Sequence, residues 1–193
     1  QPAKKEQAQM ATWQAYARFN IGLALVRKGR VDDAQRYLDE VGQATGATAE
    51  LAALRDKANL ALGFALLQAN RPADAKVAMQ RVRLEGPHSN KALLGVGWAD
   101  SSLKQYTKAL VPWLELRDRN LLDAAVQEAY LAIPYAYAQL DANRQATEYY
   151  LQAVTAYGQE SKRIDESIAA IQAGRLLDAI LELIPSARVG HIG

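Results

Sequence analysis

The residues of this chain that could do chemistry are few and far apart. The sequence contains two histidines, His88 and His191, and no cysteine. Neither histidine has a spaced carboxylate or serine nearby that would indicate a proton relay or an activated nucleophile. We therefore predict no catalytic residue and a protein that is not an enzyme.

Motifs for metals and cofactors are also missing from the sequence. It has no His-x-x-x-His spacing and no Asp-rich loop with ligand periodicity. Gly95-Val96-Gly97 resembles part of a glycine-rich nucleotide-binding motif. That motif follows a strand, whereas these glycines lie within a helical pattern. We predict no metal site and no cofactor.

The composition restricts the classes of partner. The net charge is +2, from 23 basic and 21 acidic residues that are mixed along the chain, and this excludes a field strong enough to attract nucleic acid. No apolar run approaches the roughly 18 residues of a membrane span. A lack of cysteine fits the cytoplasm and the periplasm equally. The start at Gln1 suggests a piece of a longer protein, for which we expect the periplasm if a signal segment precedes it.

One helix-pair pattern recurs four times with a constant internal offset. A small or kink-forming residue is followed twelve positions later by alanine, as in Gly22/Ala34, Gly63/Ala75, Gly97/Ala109 and Pro134/Ala146. Four positions after each alanine comes a large residue, namely Leu38, Met79, Trp113 and Tyr150. Two helices cross closely only where side chains are small, so the pattern indicates tight antiparallel pairs.

The spacing of the pattern predicts the fold class. Its copies are separated by 41, 34 and 37 residues, a range typical of helical solenoids. The alternative is an alanine-rich helical bundle, which has no reason to keep one offset across four segments. We therefore predict an all-α solenoid of about four antiparallel helix pairs.

We predict a single helical repeat domain over residues 1–193. Its pairs cover residues 11–46, 49–87, 90–119 and 120–157. The tail over residues 161–184 is either a capping helix or a degenerate fifth pair. Pro112 and Pro134 fall inside helices and predict kinks or breaks. Asn120 is the expected cap of the helix that opens the fourth pair.

These residues resemble the tetratricopeptide repeat family in its bacterial-type form. The first pair matches best, through Asn20-Ile21-Gly22-Leu23-Ala24-Leu25, Gly29, Ala34 and Leu38, and the second adds a terminal Pro87. At Asp100 the family usually has an aromatic or large apolar residue. The resemblance covers about residues 11–157 and implies a right-handed superhelix whose first helices line a concave face.

That resemblance points to a row of candidate partner-binding residues on the first helix of each pair. The residue after each small position is Leu23, Phe64, Trp98 or Tyr135, and four residues earlier stand Phe19, Leu60, Leu94 and Leu131. A separation of four residues places the members of each set on one helix face. We predict an apolar, partly aromatic groove. The alternative is that these side chains pack between repeats or beneath the chain's own tail.

The leading functional hypothesis is a non-catalytic scaffold that binds a protein, through a peptide or helix, in this groove. Phe19 and Leu23 occupy positions where relatives that clamp a terminal carboxylate have polar residues, so such a clamp is not supported. Two alternatives remain, a structural domain that self-associates through its apolar edges and an accessory domain of a larger cell-envelope protein. The repeat pattern by itself specifies a fold and not a function.

Overall fold

The computed structural model describes residues 2–46 and 48–174, and in these ranges the chain is all-helical without a strand. The helices are α1 (Pro2–Arg27), α2 (Val31–Gly42), α3 (Ala49–Gln68), α4 (Pro72–Met79), α5 (Ser89–Ser102), α6 (Tyr106–Arg117), α7 (Ala124–Gln139) and α8 (Asn143–Gln172). None of these helices is both long enough and apolar enough to cross a membrane. The prediction of an all-α chain is confirmed for these residues.

The eight helices pack as consecutive neighbours. Each helix packs against the next one along the chain, and α1, α3 and α5 each also pack against the next odd-numbered helix. Buried apolar side chains form one cluster within the first two pairs and a second within the last two. The described helices therefore form a row of pairs and do not gather around one centre.

The turn inside each pair repeats with the same backbone geometry. The residue seven positions after Gly22, Gly63, Gly97 and Pro134 has a positive φ, of 72° at Gly29, 58° at Asn70, 58° at Lys104 and 56° at Asp141. The next amide donates back to a carbonyl five residues earlier, over 2.8 to 2.9 Å. This left-handed turn satisfies carbonyls at the helix end and reverses the chain. Gly29, Asn70 and Asp141 are residue types that favour this conformation, whereas Lys104 is not.

Close packing at the glycines is the reason for the constant offset. A Cβ atom added at Gly22 would lie 2.6 Å from Leu38 Cγ, at Gly63 2.9 Å from Met79 Cε, and at Gly97 2.6 Å from Trp113 Cδ1. No side chain fits at such distances. The small residue on the first helix of each of these pairs is therefore the slot for the large residue sixteen positions later.

Several predicted boundaries differ from the structure. Asp123, and not Asn120, caps α7, because its carboxylate accepts a hydrogen bond from the Ala125 amide at 2.8 Å. Asn120 instead accepts from the Leu122 amide at 3.0 Å in a local turn. Neither interior proline ends its helix, since α6 continues through Pro112 and α7 through Pro134.

The fourth pair does not end near Tyr157 as predicted. Helix α8 runs without a break from Asn143 to Gln172 and is much longer than α7, against which it packs. No separate capping helix begins at residue 161. Residues 175–184 of the predicted tail lie outside the described part of the chain.

Asp100 takes part in a buried ion pair. Its carboxylate, 3% exposed, accepts a hydrogen bond from the Lys76 ammonium at 2.7 Å, across the seam between the second and third pairs. A polar contact crosses the first seam as well, where Asn59 Nδ2 donates to the Gly42 carbonyl at 3.0 Å. Both contacts satisfy groups that would otherwise be buried without a partner.

Candidate functional site

The predicted groove residues all lie on the odd-numbered helices, which contact one another in one layer. Five of them are half-buried, namely Phe19, Leu23, Leu60, Phe64 and Trp98. Leu131 and Tyr135 on α7 are exposed. The apolar surface therefore becomes more accessible toward the end of the row formed by α7.

Leu94 is the predicted groove residue that the structure places in the core. It is 6% exposed and belongs to the buried cluster of the third and fourth pairs. Its backbone carbonyl accepts a hydrogen bond from the Trp113 indole at 3.1 Å. Because Trp113 fills the Gly97 slot beside it, Leu94 is enclosed and cannot contribute contact area to a partner.

An aromatic cluster on α5, α6 and α7 forms the centre of the site. The ring centroids of Trp98 and Trp113 are 4.8 Å apart at an interplanar angle of 67°, and those of Trp98 and Tyr135 are 6.1 Å apart. Tyr106 at the start of α6 approaches Tyr135 edge-on, with centroids 6.2 Å apart. These separations are those of favourable aromatic pairs. The rings therefore hold one another in place.

One polar contact fixes the orientation of the Trp98 ring. Its indole nitrogen donates to Glu128 Oε1 on α7 at 2.7 Å.

Burial raises the pKa of the Tyr106 phenol, and the neighbouring Tyr135 adds to the shift, so the Tyr106 phenol stays neutral near pH 7. The cluster therefore offers apolar ring faces bordered by a single carboxylate.

Two hollows lie beside the helices, and the smaller one adjoins the site. A cleft of about 940 Å³ lies between α4 and α6, away from the predicted groove, with Val82, Leu93 and Leu114 in its lining. A smaller hollow of about 400 Å³ lies between α7 and α8 and is almost entirely apolar, lined by Leu131, Pro134, Tyr135, Ala146, Thr147 and Tyr150. It continues the exposed surface of α7.

Three residues that were not predicted as groove residues also belong to this surface, namely Tyr106, Pro134 and Tyr150. Tyr106 is noticeable in the sequence only as the first residue after a turn. Pro134 and Tyr150 are recognisable as the fourth copy of the slot and of the large residue that fills it, but in the structure Tyr150 is exposed. The repeat pattern alone assigns it to the core.

The described residues offer little for acid, base or metal chemistry. His88 precedes α5 and its side chain makes no capping hydrogen bond. Within residues 2–46 and 48–174, no group of three His, Cys, Asp or Glu side chains could hold a metal ion. Gly95 and Gly97 lie inside α5, where Met79 and Trp113 occupy the space beside them. The arrangement is suited to apolar and aromatic contact.

Two comparisons with known proteins give no match. No protein family model matches the chain. No curated protein matches it either. The case for a function therefore depends on the geometry described above.

Proposed function

We propose that this chain is a non-catalytic protein-interaction scaffold that binds a peptide or helix along its odd-numbered helices. The observation that carries the proposal is the aromatic cluster of Trp98, Tyr106 and Tyr135, which continues into the exposed Leu131. Rings that are already ordered give large contact area at low entropic cost. A helical or extended segment with apolar side chains is the partner that this surface fits.

We further propose that the pairs form a right-handed solenoid of the tetratricopeptide type. Three observations support this proposal: the same left-handed turn within all four pairs, the glycine slots of the first three pairs, and the contacts between successive odd-numbered helices. A crystal structure would test it. Left-handed stacking, or odd-numbered helices on the convex side, would contradict the assignment.

The binding proposal can be tested with peptides selected from a displayed library against the full chain. We expect Tyr135→Ala to weaken a selected peptide at least about tenfold, because large anchor rings supply most of the binding energy in such interfaces. Trp98→Ala is expected to have a larger effect. Its contact with the buried Trp113 makes a circular dichroism comparison with the wild type necessary.

A matched control is Val111→Ala, since Val111 is exposed on α6, outside the proposed groove. It should leave the affinity unchanged within about twofold. Peptides that bind the Tyr135→Ala and Leu131→Ala variants as tightly as the wild type would show that the proposed surface is not the binding site.

A further inference from the structure

Each odd-numbered helix after α1 has the same alanine, large aliphatic, alanine face. The face is defined relative to Gly63 on α3, Gly97 on α5 and Pro134 on α7. Its three members lie five positions before, one position before and two positions after that residue, and they are Ala58/Leu62/Ala65, Ala92/Val96/Ala99 and Ala129/Ile133/Ala136. Eight of these nine side chains are buried, and Val96 is half-buried. Because α3, α5 and α7 each pack against the preceding pair, this face belongs to the seam between pairs.

Helix α1 has the same face with no described helix on it. Its counterparts are Ala17, Ile21 and Ala24, which we call the front face, and all three are exposed. Ile21 is 45% exposed, whereas Leu62 and Ile133 at the equivalent position are each 1% exposed. The front face therefore has the pattern of a seam surface, and no described helix packs on it.

The other end of the row exposes a residue that is buried in the first three pairs. Besides filling the slot of its own pair, Met79 also lies against Gly95 of the next pair. Leu38, Met79 and Trp113 are at most 1% exposed, but Tyr150, their fourth counterpart, is 56% exposed. Val154 and Tyr135 beside it are exposed as well. Tyr135 and Tyr150, which line the 400 Å³ hollow between α7 and α8, form with Val154, four residues after Tyr150, what we call the back face. Since α8 runs straight on to Gln172, no described helix covers it.

We propose that two copies of this chain associate head to tail, with the front face of one copy packing on the back face of the next. The contact would repeat the seam that joins successive pairs three times within the chain. The internal seams show the kind of surface that fits the back face, which is an alanine-rich helix face with one large aliphatic residue. The chain itself carries such a surface on α1. This proposal rests on the seams between pairs and not on peptide binding, although Tyr135 belongs to both surfaces.

The parts of α1 and α8 that extend beyond their neighbours support this register. Helix α1 begins at Pro2, far ahead of Gly22, and α8 continues far past Tyr150 to Gln172, whereas α7 begins at Ala124, much closer to Pro134. With Gly22 of the added copy at the level of Pro134, both extensions would lie side by side beyond α7. Each has exposed large apolar residues, Met10 and Trp13 on α1, and Ile164, Ile168 and Ile171 on α8.

The geometry predicts open-ended growth. A front-to-back contact uses different surfaces on the two copies, so each added copy presents a new back face or front face. Association should therefore continue past the dimer as concentration rises.

Sedimentation velocity of the full chain between about 5 and 200 µM tests the proposal, a range suited to a micromolar Kd. We expect a concentration-dependent series of species larger than the dimer. Ile21→Glu and Tyr150→Glu should each raise the Kd at least about 100-fold, because the seam would bury an unpaired carboxylate. Both side chains are exposed, so the helical circular dichroism spectrum should not change.

Mixing these two variants gives the most specific outcome. The front face of the Tyr150→Glu copy is intact, as is the back face of the Ile21→Glu copy, so an equimolar mixture should form a dimer and nothing larger. Val111→Glu is the control, since Val111 is exposed on α6 away from both faces and should leave association unchanged. A wild-type chain that stays monomeric at the highest concentration, one that stops at the dimer, or a mixture that stays monomeric would each overturn the proposal.

Discussion

Replacing Gly97 by alanine tests the packing rule on which the whole description of the fold depends. The added Cβ atom would meet the indole of Trp113, with Cδ1 only 2.6 Å away. Trp113 is 0% exposed, and its indole nitrogen donates to the Leu94 carbonyl at 3.1 Å. The rigid ring cannot move aside without leaving that hydrogen bond and its place in the core.

The expected loss of stability follows from three contributions. Overpacking costs about 1 to 3 kcal/mol. A buried indole N–H without its partner costs about 1 to 3 kcal/mol more. Replacing a helical glycine by alanine offsets about 1 kcal/mol of this cost. Gly97→Ala should therefore lower the free energy of unfolding by about 3 kcal/mol, which corresponds to a fall in Tm of about 6 to 12 °C for a chain of this size.

The same substitution at two other glycines provides the controls. Gly158 lies within α8 with no atom within 4 Å of an added Cβ, so Gly158→Ala should stabilise the protein by up to about 1 kcal/mol. Gly63→Ala should fall between the two, because the flexible Met79 side chain can move away more easily than Trp113.

Urea unfolding followed by the helical circular dichroism signal measures the three variants against the wild type, with midpoints compared directly because repeat proteins can lose cooperativity. We expect the Gly158→Ala variant to be the most stable of the three and the Gly97→Ala variant the least stable. A Gly97→Ala variant as stable as the wild type would refute the assignment of Gly97 as the slot for Trp113.

Two further predictions concern ion pairs. Lys76→Ala leaves the buried Asp100 carboxylate without its partner and should cost about 3 kcal/mol by urea unfolding; adding Asp100→Leu should recover most of that loss, and no recovery would contradict the explanation. The hydrogen bond from Arg163 lowers the pKa of Glu160 below its ordinary 4.5. This pair therefore stabilises the fold above pH 4.5, and the stabilisation is lost as the pH falls through the lowered pKa. Glu160→Gln should therefore reduce the fall of the urea midpoint at pH values below this ordinary pKa, and an unchanged pH profile would contradict this role.

The local structure of the helix pairs could be predicted from residue types and spacing. The Gly22, Gly63 and Gly97 slots and the large residues that fill them follow from one offset, because backbone approach between two helices is limited by side-chain size. The helix boundaries were harder to predict from the sequence. Asp123 and Asn120 are both good capping residues, and only the path of the chain decides which of them meets the free amides of α7.

The candidate site could also be predicted only in part from the sequence. Periodicity placed Trp98 and Tyr135 on one side of their helices, but it could not separate Leu94, which is enclosed beside Trp113, from Leu131, which is exposed. Burial depends on what packs against a residue from other parts of the chain, and a helical pattern does not contain that information.

The sequence by itself determined that the chain is helical, that its helices come in pairs, and which residues form the contact within each pair, because these depend on interactions between residues close in sequence. Only the tertiary structure decided which copies of the repeated seam surface are covered. Ile21 has the same place in the pattern as the buried Leu62, yet it is exposed because no described pair packs on that side of α1. Tyr150 has the same place as the buried Trp113, yet it is exposed where the slot residue is Pro134 instead of glycine and where no described pair lies beyond α8. The same residue type in the same local context is core or surface according to whether a neighbour is present.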